Sequence, residues 1–160
     1  MDLRSERKKF EENKKIYESV KLKFNGADGY DVYNCSIPFT YKGERYIYGR
    51  VEKPDEWARS LSKLFKETAK DEFTLVPNSM IYQLEDPYVS FIHGQLVLGG
   101  THVRYNAGKL DGYCGYFYKG TDLEDLYYFT SGPYSMKDIR LVQLADGRIG
   151  LFSRPGYVGY

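Results

Sequence analysis

One arrangement of apolar and polar positions recurs three times along the chain. Residues 37–50 read as a strand, a Gly-containing turn and a second strand ending in Gly-Arg; residues 88–100 repeat that plan, and residues 139–154 repeat it again. The turn glycines Gly43, Gly94 and Gly147 are separated by 51 and then 53 residues, a period that matches a four-stranded propeller blade. A plain antiparallel sandwich uses similar strands and turns, but the regular period favours the propeller. Between the hairpins, residues 73–76, 113–118 and 126–129 supply β-rich runs for outer strands. The stretch from Trp57 to Lys70 stays open, because Leu61, Leu64 and Phe65 fit helical spacing while their context predicts a strand.

The first residues have a different texture. Leu3, Phe10, Ile16 and Tyr17 stand among alternating acids and bases without Gly or Pro, which predicts an amphipathic helix over residues 1–19, with the propeller domain occupying residues 20–160. A docking or capping role fits such a helix. Its basic residues would also suit a membrane or partner surface, but Glu6, Glu11, Glu12 and Glu18 dilute that charge.

Composition narrows the function classes. A formal charge of +1 gives little long-range attraction for nucleic acid or anionic lipid, so neither is an expected partner. Aromatic residues make up 17% of the chain, which suits pleated strands and sugar-stacking surfaces alike. Cys35 and Cys114 lie far apart without a CxxC partner, and the N-terminus lacks the apolar stretch of a signal peptide, so a reduced, cytoplasmic setting is expected. Phosphate-cradling, nucleophile-elbow, zinc-helix and dinucleotide motifs are all missing from the sequence. His93 and His102 have no Cys or carboxylate at ligand spacing, and no metal or other cofactor is expected.

In a propeller, polar residues just before each inner strand converge on one axial pocket. Asn34, Asp86 and Asp138 precede their turn glycines by nine, eight and nine residues, with Asp31 slightly further out. Carboxylates gathered there would have their pKa values pushed apart, as glycosyl transfer requires. The competing reading of each Asp is a turn or strand-start cap. Arg50, Glu52, Lys137, Arg140 and Arg154 lie on or beside the same strands, where they could hold an anion or sugar hydroxyls, or equally form an inter-blade salt-bridge network.

The motifs Asp31-Val32-Tyr33-Asn34, Gly49-Arg50-Val51-Glu52, Leu84-Glu85-Asp86-Pro87-Tyr88-Val89, Met136-Lys137-Asp138-Ile139-Arg140-Leu141, Asp146-Gly147-Arg148-Ile149-Gly150 and Phe152-Ser153-Arg154-Pro155 carry a resemblance. In this order they resemble the family catalogued as domain of unknown function 1861, which is similar to five-bladed propeller glycosidases and inverting mannosyl phosphorylases. The resemblance implies an all-β fold, a partial five-bladed β-propeller of about three blades after the helix. It also implies a carbohydrate-active protein, a glycoside hydrolase or phosphorylase of mannosides acting with inversion, in which inorganic phosphate is a candidate co-substrate. The Glu-Asp-Pro motif of those phosphorylases places the general acid at Asp86, with Asp138 and Asp31 as its acidic companions. Asn34, Arg50, Glu52, Glu85, Lys137, Arg140 and Arg154 are then the candidate substrate-binding residues. Tyr88 stands where that motif usually continues with Arg.

The resemblance further implies blades beyond the last residue of this sequence. The expectations that follow are completion by a second polypeptide, self-association, or a shortened remnant of a longer gene. A non-catalytic oligosaccharide-binding or interaction module is the alternative to an enzyme.

Overall fold

A computed structural model describes residues 2–56 and 59–155. Apart from a single helix, α1 (Leu3–Asn13), its regular structure is entirely strand. Asp2 caps α1 by accepting the Arg4 N–H at 3.1 Å, and Lys14 leaves the helix with extended backbone at ψ 140°. The helix expected to run to residue 19 therefore ends six residues sooner, with Ile16 and Tyr17 beyond it. None of its residues is buried, so the docking role has no counterpart among the described residues. Without tertiary burial, a helix of this length is marginal, and nothing carries it past its local ion pairs.

Six strands form the first sheet: β1 (Lys23–Asn25), β2 (Asp31–Tyr33), β3 (Phe39–Tyr41), β4 (Glu44–Glu52), β5 (Leu61–Ala69) and β6 (Glu72–Leu75). Their order is β1-β6-β5-β4-β2, with β3 pairing β4 beyond the break that follows β2. The open stretch from Trp57 to Lys70 becomes a strand from Leu61; Trp57 and Ala58 lie outside the described residues. As a central strand β5 has both faces covered, which is why its apolar positions imitate a helical spacing.

The second sheet runs in chain order through β7 (Glu85–Ile92), β8 (Gln95–Asn106), β9 (Lys109–Gly120) and β10 (Tyr127–Ser131), and the third is the hairpin of β11 (Met136–Gln143) and β12 (Ile149–Pro155). These are successive blades of a β-propeller, the third represented by its first two strands. The three expected hairpins coincide with β3–β4, β7–β8 and β11–β12. In the first two, a two-residue turn has both residues at positive φ, Lys42 and Gly43 at 48° and 79°, His93 and Gly94 at 49° and 76°. That turn twists in the sense the strands require and so fixes hairpin register.

Alternation along β4 then decides what faces what. Ile47 and Val51 point to one face and pack with Phe65 and Phe73 inside the first blade. Tyr48 points to the other and joins Leu64, Tyr82, Leu84, Leu96 and Leu98 in the core shared by the first two blades. Arg50 and Glu52 continue that second face, so the strand that seals the inter-blade core also delivers a buried ion pair to its end. A smaller cluster of Tyr88, Phe117 and Ile139 attaches the third blade to the second.

Candidate functional site

The three register positions share a backbone feature. Asn34, Asp86 and Asp138 have φ of 43°, 49° and 54°, the left-handed region that most residues avoid. Asn34 follows β2 where the first strand of its blade breaks, while pairing slips between Glu85 and Tyr88 and again between Lys137 and Arg140. Each is thus an irregularity in the leading strand of its blade, the kind of kink that turns a side chain out of the pleat. The spacing legible in the sequence is a spacing of bulges.

Arg50 is the centre on which the blades converge. Its side chain is 8% exposed and meets three carboxylates: Nη2 donates to Glu52 Oε1 at 2.8 Å, Nη1 to Asp86 Oδ1 at 2.9 Å, and Nη2 also reaches Glu85 Oε1 at 3.4 Å. Asn34 Nδ2 donates to the same Asp86 Oδ1 at 3.0 Å. Asp86 Oδ2 accepts no hydrogen bond from the described residues. The third blade adds two cations, since Lys137 Nζ donates to Glu85 Oε2 at 3.0 Å and Arg140 Nη2 to the Asp86 carbonyl at 3.1 Å. The Arg140 guanidinium lies over the Tyr88 ring at 4.8 Å, and its Nη1 is out of solvent contact without a partner among the described residues.

Glu52 is the best-anchored acid. Burial alone would push its carboxyl up, but hydrogen bonds from Ser60, Tyr33 and Arg50 outweigh that and hold it below the usual carboxylate range. For Arg50 likewise, burial opposes the charge, and the bonds to Glu52 and Asp86 with the nearby Glu85 prevail and raise its pKa. Burial, then the bond to Glu52, pushes the Tyr33 phenol up to about 12. The Tyr88 phenol also rises to about 12, chiefly by burial, while its oxygen accepts the Leu141 N–H at 3.1 Å.

Of the ten residues singled out in the sequence, seven meet in this one network: Asn34, Arg50, Glu52, Glu85, Asp86, Lys137 and Arg140. Asp138 and Arg154 pair with each other at 2.6 Å, and Asp138 N–H reaches Thr101 Oγ1 at 3.4 Å. Asp31 lies opposite Glu52 on β2 with an exposed side chain and makes none of these contacts. Tyr33 and Ser60 were missing from the sequence reading. Tyr33 stands inside a quoted motif, whereas Ser60 carries no local signal, since only the return of β5 beside β4 brings it to Glu52. His102 stacks on Tyr116 at 4.3 Å, and the His93 N–H donates to Gln143 Oε1 at 2.7 Å from its turn. Among the described residues, no group of three or more His, Cys, Asp or Glu is arranged to hold a metal ion.

The profile of the family described as "Protein of unknown function (DUF1861)" matches residues 8–159. The chain belongs to that family. Among solved structures, a mannose phosphorylase from Leishmania mexicana, MPT-4, solved with a phosphate ion, is 57% identical with a TM-score of 0.89, over 98% of this chain and 48% of its own. MPT-1, a GDP-Man-dependent mannosyltransferase from the same organism, is 51% identical with a TM-score of 0.88, over 95% of this chain and 49% of its own. A family 117 glycoside hydrolase from Zobellia galactanivorans shares 12% identity and a TM-score of 0.62 over 84% of this chain and 52% of its own, a likeness of fold. The chain spans about half the length of the solved structures it matches. No curated protein matches it.

Proposed function

We propose that this chain carries the acid-bearing part of a sugar-processing site, for transfer of a mannosyl unit between a glycoside and phosphate or another acceptor, with Asp86 as the proton-transferring group. The observation that carries this reading is the asymmetry of the Asp86 carboxyl. Oδ1 is clamped by Arg50 and Asn34, and Oδ2 is left for a substrate oxygen. A carboxyl fixed by one oxygen meets the geometric demand on a general acid, which must stand within hydrogen-bond reach of the leaving oxygen. Beside it, the Arg140 guanidinium, whose Nη1 has no partner among the described residues, is the group we assign to an anionic acceptor such as phosphate, which it would meet by turning that nitrogen outward. Glu52 and Glu85 hold Arg50 in place, and Lys137 joins Glu85 to the third blade. The likeness to MPT-4 and MPT-1 supports the mannosyl class.

The reading is tested by assaying the chain on a mannoside panel with and without inorganic phosphate, alone and together with a polypeptide supplying the later blades of the propeller. Asp86→Asn is expected to cost at least about 100-fold in turnover, the scale of general acid catalysis. Turnover unchanged in that variant would remove the assigned role. A second reading, an oligosaccharide-binding module without turnover, is favoured by Tyr88 standing where the phosphorylase motif usually continues with Arg. Calorimetry that finds sugar binding where no assay finds product would favour it.

A further inference from the structure

We infer a second sugar-binding site, in the cleft between the first and second blades at the end of the propeller remote from Asp86. The cleft has a volume of about 570 Å³, within the range of small-molecule sites at roughly 300–1,000 Å³. It lies beside the β3–β4 turn, whereas Glu52 at the other end of β4 belongs to the Arg50 network. Along β4, Tyr46 in the cleft and Arg50 in the network are four residues apart, roughly 13 Å at ~3.3 Å per step. The lining contains none of the axial residues.

Its construction is that of a carbohydrate site. Tyr41 and Tyr46 form an edge-to-face aromatic pair at 6.4 Å on one wall and, both half-buried over the core residues Leu64 and Leu123, present apolar surface suited to a pyranose ring. Polar groups stand at the rim. Lys42 Nζ donates to Asp122 Oδ2 at 2.6 Å, clasping the first blade to the second, while Asp122 Oδ1 accepts the Glu124 N–H at 3.1 Å. Hydrogen bonds from Lys42, with Tyr41 close by, hold the Asp122 carboxyl well below the usual range, so it is an acceptor fit for vicinal sugar hydroxyls. The Tyr41 hydroxyl lies beside the Lys42–Asp122 pair, and Asn78 adds an amide to the lining. Aromatic surface beside a charged acceptor and an amide favours a neutral polyol over an anion or a lipid chain. Both walls are complete blades, so the cleft does not need the rest of a ring.

The ligand class rests on the sugar reading proposed above, and the test separates the two. Titrate the chain calorimetrically with a manno-oligosaccharide and, as control, a gluco-oligosaccharide of equal length. Asp122→Ala and Lys42→Ala are expected to weaken one binding step about tenfold or more, the scale of a charge-assisted hydrogen bond, and Asp86→Asn to leave that step unchanged. Lys42 is 68% exposed in its side chain, so its removal leaves folding intact even if Asp122→Ala does not. Sugar binding that is absent, or that is lost with Asp86→Asn and indifferent to Lys42→Ala, would overturn the second site. A step that fails only with the cleft variants, in a chain whose Asp86→Asn form has unaltered turnover, would overturn the axial reading and keep this one.

Discussion

Arg50 is where a single substitution separates structure from surface decoration. Three carboxylates draw on one guanidinium that is 8% exposed, and removing it leaves Glu52 buried without its cation and Glu85 with Lys137 alone. Arg50→Met is expected to cost about 3–5 kcal/mol in urea-induced unfolding, the scale for orphaning a buried ionic partner. Lys137→Met, at a side chain 32% exposed, should cost about 1 kcal/mol or less in the same measurement. Equal losses would mean that the network is not centred on Arg50. The anchoring of Glu52 adds a pH signature. Its carboxyl titrates lower in the folded chain than in the unfolded one, so its contribution is fully present above the unfolded value and disappears as pH falls through the folded value. Stability should therefore decline as acid is added below about pH 4.5, and Glu52→Gln should flatten that decline in melts collected across the acid range.

At the scale of strands, the bulges account for what the sequence could and could not disclose. The hairpins were legible because each turn places a glycine at positive φ, Gly43, Gly94 and Gly147, and the repeat of those glycines marks the blades. The convergence of Asn34 and Asp86 on one point was legible for the same reason, since a fixed offset from the turn sets their depth. Asp138 kept the register and the left-handed backbone but pairs with Arg154 on the neighbouring strand of its own hairpin instead of joining the Arg50 network. Ser60 and the hydroxyl of Tyr88 were illegible, as each acts on a strand distant in sequence. The bulge conformation itself is testable. At φ 54°, Asp138→Val should destabilise the chain by about 1–3 kcal/mol, while Asp138→Asn, a residue that tolerates left-handed backbone, should cost well under half as much. Equal effects in denaturant titrations would show that the charge, and not the backbone, matters at this position.

Across the whole molecule, the site depends on how β11 and β12 dock on the second blade. A two-stranded hairpin is marginal by itself, so β11 and β12 owe their order to docking on the second blade. That docking uses Ile139 packed with Tyr88 and Phe117, the Leu141 N–H on the Tyr88 oxygen, and the two cations Lys137 and Arg140. Tyr88 therefore has a purpose that explains its place after Glu-Asp-Pro: its ring carries Arg140, and its hydroxyl holds the strand on which Arg140 and Lys137 ride. Tyr88→Phe deletes the second function and spares the first. Hydrogen exchange should then accelerate through β11 and β12, by about threefold to tenfold for a lost bond of roughly 0.5–1.5 kcal/mol, while amides of β4 and β5 keep their protection. Acceleration spread evenly over all three blades would show that they open as one unit, and that the cations of the third blade are not separately released from Asp86.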